Sequence, residues 1–595
     1  MDKITDRIKS LRKEMKKRGI SAYYMTTADF HGSEYVHDYF KVREYFSGFT
    51  GSNGDLLIGD KWAALWTDGR YFVQAEKELE GSGIELMKMG EEGVPDEIAF
   101  LKQKLKKKDV LGFDGRTVTA SFGKKLKAAG KEAGFSLSYK DDITDGIFNR
   151  PAYPVSYAEV LSSSLTGLSV KEKLDKVREE LKKKGAEALV LTKLDDIMYL
   201  YNIRGRDVLY NPVLMSYAYV SEDISVLFVQ QDAVTDALRN HCNESDTMIM
   251  DYWNIEGFFK GLQPGTKVLI DPGKINFYLY KKLKSSVKLI SGINPTEEMK
   301  ALKNETEIEN LRKVCLKDSL AVSRFILELK YRMKNEPFTE MSAAELLLKY
   351  RKETEGFREP SFETISAYGG NAAMMHYEPS DQHEVVLKER GMLLVDSGGQ
   401  YNGGTTDVTR TIVLGELTEE EKRDYTLTAC SMLNLMHVKW LEGCVGQNLD
   451  IIARKRMWDE GMDYKCGTGH GVGYMLNVHE GPQNIRWKKT ENSAVLKSGM
   501  LVTDEPGVYK KDKHGIRIEN MLLVKKWKKT DDGQFLEFEN LTHVPIDDKG
   551  IDRSIMTAEE ISYYEEYQRS VLEALKPFLT WEETEMLKEY SGIKS

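Results

Sequence analysis

Five side chains between residues 396 and 519 have the types and spacing to do chemistry. They are Asp396 in Val-Asp-Ser-Gly-Gly-Gln-Tyr, Asp407 in Gly-Thr-Thr-Asp-Val-Thr-Arg, His470 in Gly-Thr-Gly-His-Gly-Val-Gly, Glu505 in Thr-Asp-Glu-Pro-Gly-Val-Tyr and Glu519 in Gly-Ile-Arg-Ile-Glu-Asn. Four carboxylates and one imidazole, with no thiolate among them, suit a pair of hard or borderline divalent cations such as Mn²⁺ better than a structural zinc. Such a donor set points to metal-assisted hydrolysis.

Two hairpins must deliver these donors. The apolar run Met392 to Val395 reads as a strand ending at Asp396, and after a glycine-rich turn residues 405–414 return as a second strand. With a two-residue period Thr405, Asp407 and Thr409 share a face, so Asp407 is expected beside Asp396, where two carboxylates repel unless a cation lies between them. An ordinary Asp-Ser-Gly-Gly turn is the competing reading of that segment taken by itself. The second hairpin repeats the device, with Glu505 at a strand end and Glu519 on a returning strand from Gly515. There Arg517 and Glu519 point to the side opposite Ile516 and Ile518. An inward Arg-x-Glu pair needs partners, because a buried unpaired charge costs several kcal/mol.

His470 sits in a run with glycine at every other position, Gly467 to Gly473. No Lys-Ser/Thr follows and no Gly-x-Gly-x-x-Gly opens a helix, so a nucleotide-binding loop is not supported. The glycines are expected to let backbone approach a metal and a substrate closely. His376 in Ala-Met-Met-His-Tyr and His479 in Asn-Val-His-Glu-Gly-Pro are further site candidates, each of which alone reads equally as a surface or core histidine.

At 595 residues the chain needs two to four domains. A net charge of −9, with lysines dispersed among glutamates, gives no general electrostatic reason to bind nucleic acid or an anionic membrane. Five cysteines without a Cys-x-x-Cys pair support neither a disulfide framework nor a zinc ribbon. No apolar run approaches a bilayer span and no leader is apparent, so a cytoplasmic protein is expected.

The first half carries a weak internal repeat. Residues 8–27 resemble 174–193, with Gly19 aligned to Gly185, each copy reading as an amphipathic helix, a glycine stop and an apolar strand. Two related α/β domains, 1–155 and 156–297, are therefore expected before a third, 298–595. The third should open on a long charged helix from about 305 to 329, place further helices near 340–353, 418–441 and 448–460, and end in a terminal helical appendage over 558–590.

The ordered set Asp396, Asp407, His470, Glu505 and Glu519 resembles the pita-bread metallopeptidases. The two upstream creatinase-like α/β domains, with Trp66-Thr-Asp-Gly-Arg-Tyr-Phe and Asn202-Ile-Arg-Gly-Arg-Asp-Val, look like those of the long three-domain aminopeptidase P type. The resemblance implies an α/β chain with an α+β pita-bread catalytic domain, two Mn²⁺ ions per subunit, peptides with proline at the second position as substrates, and a homodimer for which Trp458 is a candidate interface aromatic. It further implies that Asp396 chelates one metal, that Asp407 and Glu519 bridge both, and that His470 and Glu505 complete the second. Glu505 would move the proton, His376 and His479 would contact substrate and stabilise an oxyanion, and Arg70 and His470 would also meet the peptide. Arg517 would sit near the metals, fix Glu519 and count among the substrate-binding residues. One departure is Cys466, where the family commonly has histidine. Prolidase, which cuts Xaa-Pro dipeptides, is the alternative within the class. A non-catalytic binding module on the same fold is the alternative outside it, and all five ligands being present weighs against that.

Overall fold

The computed structural model describes residues 3–380, 385–489 and 493–593. The chain folds as two compact units, Met1–Glu297 and Glu298–Ser595.

The first unit holds two six-stranded sheets that repeat one another. In the first the order is Glu85–Lys88, Ala63–Thr67, Asp55–Gly59, Ala22–Thr26, Val110–Phe113, Ser136–Ser138. In the second it is Thr247–Asp251, Ser225–Val229, Ser216–Ser221, Ala188–Leu191, Lys267–Ile270, Lys288–Ser291. The pairings run parallel, antiparallel, antiparallel, parallel, parallel in both. The helix Ile4–Lys17 leads into the first sheet and Val170–Lys183 into the second, each followed by a glycine at positive φ, 67° at Gly19 and 63° at Gly185. Those left-handed residues end each helix and turn the chain into its central strand, as the repeat predicts. The sequence boundary at 155/156 falls inside this unit, between the two sheets.

The boundary between the units falls within the short helix Pro295–Ala301, and the second unit continues with Glu305–Arg332, a 28-residue helix started by a reciprocal Asn304–Glu307 capping box. The helices Glu340–Lys352 and Gly446–Trp458 lie close to their expected positions, whereas the helix expected over 418–441 stops at Met436 and Lys439–Leu441 is a strand. Between them, Ile365–Tyr368, Met392–Ser397 and Val408–Val413 form an antiparallel sheet. A six-stranded sheet runs in the order Lys439–Leu441, Gly533–Asn540, Asn520–Thr530, Leu501–Asp504, Gly469–Gly471, Glu480–Ile485. One core joins these layers, with Phe325, Leu393, Ile412, Leu433, Val502 and Leu522 all buried.

Two expectations need correction. The segment 558–590 is no appendage: it forms Ala558–Leu575 and Trp581–Tyr590, and Tyr564, Tyr567, Val571, Leu575 and Leu587 are buried in the same core. The expected strand 405–414 is interrupted. Thr406 turns its N–H to the Gly399 carbonyl and Asp407 its N–H to Met521 Sδ, so the continuous ladder begins only at Val408.

Candidate metal centre

The antiparallel register sets Asp396 opposite Thr409, which leaves Asp407 just outside the ladder at the same end of the sheet. The Glu519 strand is also broken, because His514–Arg517 and Asn520–Thr530 are separate strands with Ile518 and Glu519 between them. Released from a ladder, Glu519 turns its N–H to the Thr409 carbonyl at 3.1 Å, and its Oε2 accepts the Thr409 hydroxyl at 2.6 Å. Glu505 follows the strand Leu501–Asp504 and is tied back by its N–H to the Thr468 carbonyl.

His470 lies on the short strand Gly469–Gly471, squeezed between its neighbours. A Cβ at Gly469 would fall on the Thr503 carbonyl oxygen, and one at Gly471 on that of Glu480. The flanking glycines therefore serve strand packing around His470.

The side chains converge. One ligand atom each from Asp407, His470 and Glu519 lies within 4.8 Å of the others. His470 Nε2 is 3.4 Å from Asp407 Oδ2 and 3.4 Å from Glu505 Oε1, and its Nδ1 is 2.9 Å from the Gly471 carbonyl. That carbonyl can only accept, so Nδ1 carries the hydrogen and Nε2 faces the carboxylates. Asp396 Oδ2 accepts from Arg517 Nη2 at 2.5 Å, while its buried Oδ1 has no hydrogen-bond partner among the described residues.

Burial and mutual repulsion shape the electrostatics of the site. Burial first, then Asp407 and Glu505, push the Asp396 carboxyl up to about 6 against the pull of Arg517. Burial also holds Glu519 well above the usual carboxylate range, with Asp407, Asp396 and Glu505 adding to the effect. Burial opposes charging of the His470 ring, but Asp407 and Glu505 outweigh it and raise its pKa to about 9. Converging buried carboxylates, an imidazole nitrogen aimed at them and an orphaned Asp396 oxygen fit hard or borderline divalent cations.

Asp396, Asp407 and Glu519 are buried, whereas His470 and Glu505 are half-buried and mark the side from which a substrate can arrive. The half-buried His479 is on that side, its ring edge-on to His470 at 4.4 Å between centroids. His376, also half-buried, directly follows Met375, whose carbonyl accepts from Arg517 Nη2 at 3.2 Å. Arg517 does not bond Glu519 as the resemblance implied. Its guanidinium reaches Asp396, the Thr409 hydroxyl at 3.1 Å and the Tyr509 hydroxyl at 2.7 Å. The sequence places Thr409 on the Asp407 face without revealing its bonds to Glu519 and Arg517, and it gives no sign of a role for Tyr509.

Arg70 belongs to the first unit, where it forks onto Asp68 at 2.9 Å through Nε and Nη2, with Glu34 3.5 Å away. Cys466 is half-buried beside Tyr464, Val508 and Tyr509, and its carbonyl accepts from Arg454 at 2.6 Å. Trp458 is 42% exposed and meets the equally exposed Trp487 edge-on, which excludes a core role for it.

This architecture and donor set define a metallopeptidase, and the chain belongs to metallopeptidase family M24. The model of that family matches residues 309–526, that of the creatinase/prolidase N-terminal domain matches 7–138 and, in a second form, 149–307, and that of the C-terminal region of peptidase M24 matches 534–591. Xaa-Pro aminopeptidase 1 of Dictyostelium discoideum is 35% identical, over 100% of this chain and 96% of its own. A probable Xaa-Pro aminopeptidase P of Laccaria bicolor is 36% identical, over 97% and 91%. The crystal structure of an X-prolyl aminopeptidase from Caenorhabditis elegans, described as a cytosolic enzyme with a di-nuclear active site, superimposes with a TM-score of 0.94 at 31% identity and covers 99% of this chain and 100% of that one.

Proposed function

We propose that the protein is a dinuclear Xaa-Pro aminopeptidase, removing the N-terminal residue of peptides whose second residue is proline. The carrying observation is the convergence of Asp407, His470 and Glu519 beside the orphaned Asp396 oxygen, in a chain similar along its whole length to Xaa-Pro aminopeptidases. The bond before proline has no N–H on its nitrogen, so a dedicated site must accept the ring.

Asp396 would hold one cation, Asp407 and Glu519 would bridge, and His470 with Glu505 would complete the second position, with Mn²⁺ the ion this donor set favours. Bound there, the cations would supply a Lewis acid and a water ionised near neutral pH. Glu505, half-buried on the open side, takes the proton of the attacking water and passes it toward the prolyl nitrogen. His479 and His376 orient the scissile carbonyl and stabilise charge developing on its oxygen. Arg517, bonded to Asp396 and Tyr509, fixes the carboxylate that would otherwise be repelled by its neighbours. The role of Arg70 as a peptide contact rests on its Asp-Gly-Arg-Tyr motif.

The division into domains 1–155, 156–297 and 298–595, a cytoplasmic location and a homodimer using Trp458 belong to the same proposal. Hydrolysis of an Xaa-Pro-Xaa tripeptide by metal-stripped protein, with and without Mn²⁺, tests it.

A further inference from the structure

Arg410 is buried at 1% exposure on the strand Val408–Val413, pointing to the face opposite Thr409 and away from the candidate ligands. Among the described residues none of its hydrogen-bond acceptors is a carboxylate. Nη1 donates to the carbonyls of Thr409 and Glu519, both at 2.7 Å. Nη2 lies 2.6 Å from the Tyr567 hydroxyl, 2.7 Å from the Val544 carbonyl and 2.8 Å from Asn520 Oδ1, and Nε donates to the Pro545 carbonyl at 3.1 Å. The Tyr567 hydroxyl in turn donates to Val544 at 2.7 Å.

The Glu519 peptide sits in the gap between two strands, so its polar groups have no ladder partner. Its N–H goes to the Thr409 carbonyl, and its C=O goes to Arg410, which also holds that Thr409 carbonyl. One guanidinium thus fixes the backbone of Glu519 and of the Thr409 that hydrogen-bonds its carboxylate. Tyr567, from the helix Ala558–Leu575, closes the far side of the clamp.

We propose that Arg410 and Tyr567 are positioning residues for the metal centre, through which the C-terminal helices set the geometry of Glu519. The inference rests on the reading of Glu519 as a ligand. Partners one layer behind a ligand typically change metal affinity about 10–100-fold when removed.

The test is Mn²⁺ binding by calorimetry to metal-stripped full-length protein, well below the unfolding temperature, for wild type, Tyr567→Phe and Tyr564→Phe. Tyr564 is buried on the same helix, but its hydroxyl bonds Asp548 and Gln568 rather than Arg410. The expected result is about tenfold weaker binding for Tyr567→Phe, with Tyr564→Phe matching wild type even if it melts earlier. Arg410→Lys keeps the charge but cannot span both carbonyls and the hydroxyl, and should lose about 100-fold. If Arg410→Lys does not fold, Tyr567→Phe decides. Unchanged affinity in Tyr567→Phe, or equal losses in the two tyrosine variants, would overturn the clamp. A wild type that binds no Mn²⁺ would instead overturn the metal reading itself, and this inference with it.

Discussion

Arg517 and Asp396 form a buried pair, Nη2 to Oδ2 at 2.5 Å, that occupies one carboxylate oxygen and leaves the other without a partner. The same guanidinium holds the Thr409 and Tyr509 hydroxyls, so the strands bearing Asp396, Thr409, Tyr509 and Arg517 are locked together behind the site. Replacing Arg517 by Met should lower the unfolding free energy of metal-free protein by about 3 kcal/mol, since it leaves a buried carboxylate unpaired. Added Mn²⁺ should recover part of that loss. Denaturant unfolding with and without Mn²⁺ checks both, and an unchanged midpoint in metal-free protein would contradict the pairing.

Glu519→Gln should stabilise the metal-free protein and abolish its response to metal. Burial holds the Glu519 carboxyl above its ordinary 4.5, so in the folded state it costs stability from about that pH upward, and the cost disappears in acid. The substitution should therefore stabilise the protein at pH 7 and have no such effect at pH 4. Melting curves at the two pH values, with and without Mn²⁺, give the comparison. A loss of stability at pH 7 would mean that Glu519 is a structural acceptor for Thr409 and no more.

Metal uptake at pH 7 should release protons. With a pKa of about 9 the His470 ring is charged in the metal-free protein, and only its neutral form can be a ligand. Below pH 9 apparent affinity should fall about tenfold per pH unit for each proton displaced, and the release from His470 should fade above that pH. Calorimetry in buffers of different ionisation enthalpy counts the protons. Uptake with no proton release at pH 7 would exclude His470 from the ligand set.

His479→Phe should separate substrate contact from metal binding. Its ring faces His470 edge-on, yet it is not among the converging ligand atoms. The variant should bind Mn²⁺ as the wild type does and lose about 100-fold in kcat, the cost of one oxyanion donor. Loss of metal would make His479 a ligand instead.

The five candidate ligand motifs are legible in the sequence because each places a donor at a strand end or beside a glycine whose backbone role is local. The partner of Arg517 was not. Strand alternation puts Arg517 and Glu519 on one face, but the ladder breaks between them, and the arginine reaches a carboxylate 121 residues away. The Arg410 clamp was equally hidden, since Tyr567 is 157 residues distant and an Arg-Thr-Ile-Val strand does not show which way a buried cation will be solvated. The helix–glycine–strand repeat was legible, whereas the shared strand order of the two sheets depends on pairings that span the unit. The helicity of 558–590 was also readable, but its burial came from tyrosines whose hydroxyls find polar partners in the core.

The decisive measurement is release of the N-terminal residue from an Xaa-Pro-Xaa tripeptide and from an Xaa-Pro dipeptide, using metal-stripped protein before and after addition of Mn²⁺. A dinuclear Xaa-Pro aminopeptidase should cleave the tripeptide in a Mn²⁺-dependent manner, with little turnover of the dipeptide. Cleavage of the dipeptide alone would make the protein a prolidase, and no cleavage of either in Mn²⁺-loaded protein would contradict a hydrolytic role for the site.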